Sequence, residues 1–354
     1  MSQYYDGTKL LSMTDINGKK PEIYICTTNR TGGKTTYFGR LLVNRWIKYG
    51  EKFCLLYRYN YELDGIADKF FKDIRNLFFN GLNMRSQRRA QGIYHELYIY
   101  RDDEAEEKEP GRACGYAVSL NNADQIKKYS HLFSDVQRIL FDEFQSETGH
   151  YCSNEIQKLL SVHTSIARGQ GEQVRYVPVF MLSNPVSIIN PYYIEMGISE
   201  RLSSTTKFLK GDGFVLEQGF IESACEAQKE SGFNRAFSGN KYVAYSAENV
   251  YLNDSTAFIE KPAGKARYLC TLKYNGCDFA VREFPEIGIV YCDDKPDLTF
   301  TTRLAVTTED HNVNYVMLKV SEILVQNLRY YFEKGAFRFK NLRCKEAVLK
   351  AISY

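Results

Sequence analysis

No two of the nine cysteines are spaced CxxC, and their number is odd. That argues against a zinc ribbon or a disulfide frame and implies reduced thiols in a cytoplasm. No apolar run approaches the roughly 18 residues that cross a bilayer, so no membrane partner is expected. The opening stretch, "MSQYYDGTKLLSMTDINGKK", lacks the basic-then-apolar order of a secretion signal. Charge of one sign is scarce too. The formal net charge is only +3, so composition does not announce a nucleic-acid partner, and any such partner has to be read from local patches. What remains is 44% hydrophobic and 25% charged residues over 354 positions. That is a soluble chain long enough for roughly two or three cores.

Along the first two hundred residues, strands alternate with helices. Apolar runs at 23–27, 53–57, 136–141 and 176–182 read as strands. Residues 35–48 read as a helix with Phe38, Leu42 and Trp46 on one face, and 154–167 as a helix capped by Ser153 with Ile156, Leu159, Leu160 and Ile166 inward. The alternation predicts a parallel α/β sheet. The acidic run at 102–109 ends in Pro110-Gly111 and reads as a solvated hairpin tip. Past residue 225 a polar stretch leads to strands at 266–273, 277–284 and 288–292, then to helical patterns from about 314 onward.

The stretch "IYICTTNRTGGKTTYFGRLLV", 23–43, carries the chemistry. A strand ends, a glycine-containing bend follows, and a helix begins. "TNRTGGKT", 28–35, meets the phosphate-loop pattern G-x-x-x-x-G-K-[ST] everywhere except its first position, where Thr28 stands at some expected conformational cost. Gly32 and Gly33 let the backbone approach phosphate closely, and amides at the bend and helix start cradle it. Lys34 brings a point charge to the β- and γ-phosphates, and Thr35 offers a hydroxyl to Mg²⁺. The candidate nucleotide-binding residues are Thr28, Asn29, Arg30, Thr31, Gly32, Gly33, Lys34, Thr35 and Thr36. A glycine-rich turn that binds nothing would look the same on this motif alone. "ILFDEF", 139–144, adds a second element: an apolar strand ending in paired acids. Asp142 is placed to hold Mg²⁺ and Glu143 to orient or deprotonate the attacking water. Ser183 and Asn184 end the next strand, where such sheets carry a polar sensor. Arg168, just past a helix, is either the cation that hydrolysis needs at its transition state or a surface charge satisfying the helix end.

Four segments, "NRWIKYGEKFCLLYRYNYEL" (44–63), "ILFDEF" (139–144), "LSNPVSIINPYY" (182–193) and "FIEK" (258–261), together resemble the DNA-packaging (encapsidation) ATPases of phi-29-like short-tailed phages. The resemblance implies an ASCE-type P-loop ATPase domain over 1–225, a small linker domain over 226–256, and a C-terminal domain over 257–354 like an RNase H-type nuclease that has lost its activity. It implies a homo-oligomeric, pentameric ring on the portal of an empty capsid in the host cytoplasm. ATP and Mg²⁺ are then the cofactors, and double-stranded DNA, the portal and, in some members, a structural RNA are the partners. Lys34 and Thr35 take the phosphate-loop roles, Asp142 holds the metal, Glu143 is the catalytic acid, and Arg168 falls where the family has its trans-acting arginine finger.

The DNA side is thinner in the sequence. A motor grips phosphates without reading bases, so it needs Lys and Arg on exposed loops. Arg58, Lys127 and Lys128 are the candidates, with the cluster 85–89, though plain surface charge is the simpler reading of each. Residues 329–350 carry seven Lys/Arg against two Glu. A nuclease built from Asp278, Asp293 and Asp294, or an NTPase that is not a motor, are the rival readings.

Overall fold

The four apolar runs of the first two hundred residues become the middle of a nine-stranded sheet. A computed structural model describes all residues except 1–3, 104–110, 170, 189, 200, 203–205, 239, 241, 244–245, 247–260, 320–321 and 353–354. The tip of the acidic run and most of "FIEK" therefore lie outside the described residues. Two compact units result: 1–196 with 202–253, and 254–354 with 197–201.

In the first unit the strands are β1 (Ile23–Thr27), β2 (Lys52–Tyr57), β3 (Leu82–Arg89), β4 (Tyr94–Arg101), β5 (Gly115–Ser119), β6 (Val136–Phe141), β7 (Val179–Ser183), β8 (Phe208–Lys210) and β9 (Phe214–Gln218). Their order is β3-β4-β5-β2-β6-β7-β1-β9-β8. The run from β5 to β9 is parallel, while β3, β4 and β8 are antiparallel additions. The central strands are buried almost throughout, which is why they read as continuous apolar runs. Placing β7 between β1 and β6 sets the phosphate-loop strand and the acid strand one strand apart, the ASCE arrangement.

The helices of this unit are α1 (Thr8–Ser12), α2 (Lys34–Tyr49), α3 (Ile66–Phe78), α4 (Ala123–Ile126), α5 (Glu155–Ala167), α6 (Pro191–Glu195), α7 (Glu222–Glu230) and α8 (Gly232–Ala236). On α2, Phe38 and Leu42 are buried and Trp46 is partly so. They pack with Phe70, Phe71 and Ile74 of α3, and each fully buried ring contributes roughly 1.5–3 kcal/mol. Three local expectations change. Ser153 does not cap α5. Asn154 takes the N-cap position with φ 53°, and the Cys152 amide donates to the Glu155 carboxylate instead. Leu160 points outward, 61% exposed, because the buried stripe of α5 is led by Glu155 and continues through Val162 and Ile166. β7 starts after Pro178, which has no N–H to give a ladder.

The second unit carries β10 (Arg267–Tyr274), β11 (Cys277–Phe284), β12 (Ile289–Asp293), β13 (Arg303–Ala305), β14 (Val316–Met317) and β15 (Phe337–Phe339), with α9 (Ile323–Glu333) and α10 (Leu342–Ile352). Its order is β14-β13-β10-β11-β12-β15. The first three strands are antiparallel, and β13 and β14 follow in parallel. Without β15 this is the 3-2-1-4-5 order of an RNase H-type sheet. The helical pattern expected from 314 onward is interrupted: Gly335, at φ 67°, turns the chain after α9 so that β15 can pair with β12.

Candidate active site

Ligands of open α/β sheets bind at the carboxyl ends of the strands. Here β1, β6 and β7 end side by side, delivering residues 28–35, Asp142-Glu143 and Ser183-Asn184 to one edge. The loop after β1 turns through two left-handed residues, Thr31 (φ 60°) and Gly33 (φ 90°), before α2 begins at Lys34. Thr28 is not left-handed, so the strain expected there falls on Thr31. The Thr28 side chain is buried and its Oγ1 donates to the Asn29 carbonyl. Gly32 is tightly enclosed: a Cβ there would sit 2.9 Å from Ile221 and 3.2 Å from Thr28 Oγ1. Asn29 spends its side chain on the fold. It donates to the Ile221 carbonyl and accepts from the Ile221 amide, both at 2.9 Å, so only its backbone belongs to the phosphate loop.

Two contacts join the motifs. Lys34 Nζ donates to Asn184 Oδ1 at 2.8 Å. Thr35 Oγ1 donates to Asp142 Oδ2 at 2.8 Å. Lys34 is buried, and that burial lowers its pKa against the attraction of Asp142. Glu143 adopts φ 52° and its amide donates to Asp142 Oδ1. Enclosure by the protein, and next the Asp142 charge, push the Glu143 pKa up. Ser183 is buried, its hydroxyl turned to the Asn184 carbonyl. Thr36 follows Thr35 in the first turn of α2. Arg30 leaves the loop sideways, ion-paired to Glu147 with its guanidinium 5.3 Å from the Tyr242 ring.

The residues present fit magnesium held largely through water and phosphate. One hydroxyl and one carboxylate meet at 2.8 Å with a second carboxylate adjacent. Among the described residues, no group of three or more His, Cys, Asp or Glu side chains forms a self-sufficient metal cage. Two cavities flank the loop. One, of about 410 Å³, is lined by Glu143, Ser183, Asn184, Arg30, Glu62 and Glu147. The other, of about 530 Å³, joins Arg30, Thr31, Lys34 and Asn184 to Gln228, Phe233 and Tyr242. The segment expected as a separate linker thus lines the site through Gln228, Phe233, Tyr242 and Ser246, and the Arg30 amide donates to the Ser246 carbonyl. Neither Glu62, Glu147 nor this segment has a local motif that would have marked it.

Other expected residues lie elsewhere. Arg58 is not on the surface. It is 6% exposed and paired with the buried Glu155, because β2 ends inside the sheet edge. Beyond it, Tyr59 and Tyr61 stack on each other at 5.5 Å. Lys127 and Lys128 are exposed, Lys127 being paired to Asp124. Arg168 is exposed at the end of α5, donating to the Lys127 carbonyl and Ser130 Oγ. Since α5 runs from the carboxyl end of β6 back to the start of β7, Arg168 sits at the edge of the sheet opposite its own phosphate loop. In the second unit the acids are tied to bases: Asp293 to Arg282 at 2.5 Å, Asp294 to Lys340 at 2.6 Å, Asp278 to Lys273 at 3.5 Å.

The chain is similar along its whole length to a DNA packaging protein. The DNA packaging protein of Bacillus phage phi29 is 28% identical over 364 residues, spanning 100% of this chain and 96% of that protein. Among solved structures, the bacteriophage phi-29 viral genome packaging motor assembly matches 100% of this chain and 98% of its own at 25% identity, with a TM-score of 0.57. The phi-28 gp11 DNA packaging motor shares the fold at 18% identity and a TM-score of 0.61, over 100% of this chain and 99% of its own. The family model for the Podovirus DNA encapsidation protein (Gp16) matches residues 1–352, and the chain belongs to that family.

Proposed function

We propose that this chain is the ATP-hydrolysing subunit of a ring motor that drives double-stranded viral DNA through the portal into a preformed capsid. The observation that carries the reading is the Thr35–Asp142 contact at 2.8 Å, which brings the phosphate-loop hydroxyl to the acid of the neighbouring motif. Mg²⁺, when bound, neutralises charge on the β- and γ-phosphates. The backbone amides around Gly32 and Gly33 cradle phosphate. Lys34, buried and held by Asn184, presents its ammonium in a low-dielectric pocket where the charge acts strongly. Glu143 takes a proton from the attacking water as its oxygen bonds to the γ-phosphorus and the bond to ADP breaks. Its raised pKa makes the carboxylate a stronger base toward that water. Arg168 serves the site of the adjacent subunit. Lys127 and Lys128 remain the exposed candidates for phosphate contacts to DNA. The ring is pentameric by family resemblance. The second unit keeps the sheet order of a nuclease with Asp278, Asp293 and Asp294 each paired to a base, and the full chain with Mn²⁺ should leave duplex DNA intact.

Glu143→Gln should keep a fluorescent ATP analogue bound while hydrolysis falls by about 10²–10⁴. Normal hydrolysis in that variant would falsify the assignment of Glu143. The motor reading is tested by packaging of duplex DNA into purified empty capsids with ATP, with and without this chain, and with and without ribonuclease to reveal a structural RNA. Equal packaging without the chain sinks it.

A further inference from the structure

We infer that Arg58 is a positioning residue, holding the Glu143 carboxylate where hydrolysis needs it through the backbone of the Glu143-Phe144 turn. The inference rests on the reading of Glu143 as the group that acts on the attacking water.

The guanidinium is fully engaged and faces inward. Nε lies 3.0 Å from both Glu155 oxygens. Nη1 donates to the Glu143 carbonyl at 3.3 Å and Nη2 to the Phe144 carbonyl at 2.6 Å. Glu155, 4% exposed, also accepts from the Tyr192 hydroxyl at 2.5 Å and the Cys152 amide at 2.7 Å. The rings of Tyr151 and Phe141 stand 4.9 and 5.8 Å from the Arg58 guanidinium. A buried ion pair is weak evidence for stability as such, so its presence here asks for another reason. The turn it holds supplies one. Glu143 sits at φ 52°, a conformation that glutamate rarely adopts and that persists only where the surroundings over-determine it. Two successive carbonyls bonded by one rigid fork do that. A lysine ammonium, a single point on a flexible stem, cannot span both carbonyls and Glu155 in one plane. The charge of Glu155 keeps the fork in place, and the turn keeps the carboxylate at the mouth of the 410 Å³ cavity.

The test is a double-mutant cycle in the full chain. Arg58→Lys keeps the charge opposite Glu155. It should leave the Kd of a fluorescent ATP analogue and KM within about threefold while kcat falls by about 10², the scale set by a misplacement of an ångström. Amide hydrogen exchange over residues 142–147 should accelerate without nucleotide. In the Glu143→Gln background, adding Arg58→Lys should change the residual single-turnover rate by less than about twofold, because there is no carboxylate left to misplace. If Arg58→Lys does not fold, the neutral pair Arg58→Gln/Glu155→Gln takes its place, with the same expected outcomes. Wild-type kcat in Arg58→Lys, with Glu143→Gln inactive, overturns the positioning role alone. An equal fold-loss in both backgrounds overturns it as well, leaving a structural ion pair. Normal hydrolysis by Glu143→Gln is a different failure, that of the Glu143 reading, and it removes the basis for this one.

Discussion

At the carboxyl edge of the nine-stranded sheet, Lys34 donates to a side-chain amide and Thr35 to a side-chain carboxylate. At the amino edge, one buried arginine meets the backbone instead. Arg175 is buried, its Nη1 on the Val136 carbonyl at 3.1 Å and its Nη2 on the Ile166 carbonyl at 2.7 Å. His163 Nε2 meets the Val177 carbonyl at 3.0 Å. The left-handed residues Thr31, Gly33 and Glu143 cluster at the carboxyl edge. Around the phosphate loop, Lys34 and Thr35 are therefore held by side chains that a ligand can replace. Arg175 is instead spent on two backbone carbonyls. On the proposed reading, Lys34 serves catalysis and Arg175 serves stability.

The largest effect should come from breaking that division directly. Lys34→Ala is expected to lower hydrolysis by at least about 10²–10³, as loss of a preorganised charge does at other sites, and to weaken nucleotide binding, with little change in melting temperature. Arg175→Met should do the reverse. It strands two buried carbonyls at a cost of roughly 3 kcal/mol, lowering the melting temperature by roughly 5–10 °C while the folded fraction hydrolyses ATP at its normal rate. Paired calorimetry and ATPase assays on both variants check this. If Arg175→Met loses catalysis before it loses structure, the two edges are not separate.

Arg168 stands on the amino edge but is exposed, which sharpens the comparison. Its burial and contacts leave it on the surface beside Lys127, whereas Arg175, the other arginine near this helix end, is locked inside. Arg168→Ala should leave ATP-analogue binding near normal and lower turnover by about 10³ if the guanidinium reaches a neighbour's transition state. Mixing Arg168→Ala with Glu143→Gln subunits should then restore part of the activity, since some interfaces carry an intact acid on one side and an intact arginine on the other. No recovery in rings shown to be mixed would mean that Arg168 only satisfies its helix end.

The carboxyl edge was largely legible in the sequence. Gly32-Gly33-Lys34-Thr35 and Asp142-Glu143 are contiguous motifs whose chemistry depends on neighbours in the chain, and the apolar strands that carry them are buried on both faces. What sequence did not reveal depends on partners far along the chain. Asn29 reads as a phosphate-loop residue until Ile221, 192 positions away, takes its side chain. Arg58 reads as a loop cation until Glu155, 97 positions away, pairs with it. That same pairing draws Glu155 inward and turns Leu160 out of the stripe that periodicity predicts. Gln228, Phe233 and Tyr242 carry no motif, and only their place beside the loop makes them part of the site.

The smallest predicted effect isolates the amino edge by pH. His163 Nε2 lies 3.5 Å from Glu22 Oε1, and the Val177 amide donates to the same carboxylate oxygen at 3.1 Å. Burial opposes the charged imidazole, but the Glu22 carboxylate and the Val177 carbonyl outweigh it and raise the His163 pKa. The hydrogen bond from His163, ahead of that from the Val177 amide, lowers the Glu22 pKa. The signs follow from linkage. A raised histidine contributes stability that is complete below its unfolded pKa of about 6.5 and is lost as pH rises through its folded pKa. A lowered glutamate contributes stability present above its ordinary pKa of about 4.3 and lost as pH falls through its folded pKa. The pair is therefore strongest between these limits and should weaken on the alkaline side first met in practice. At fixed ionic strength, wild type should lose a little more melting temperature than His163→Gln between pH of about 6 and about 8.5. The pH profile of ATP hydrolysis should superimpose for the two proteins, because the described bonds of His163 go to Val177 and Glu22 at the amino edge. An identical melting shift in both would show that the pair carries no proton-linked stability. A displaced hydrolysis profile would show instead that the amino edge reaches the chemistry.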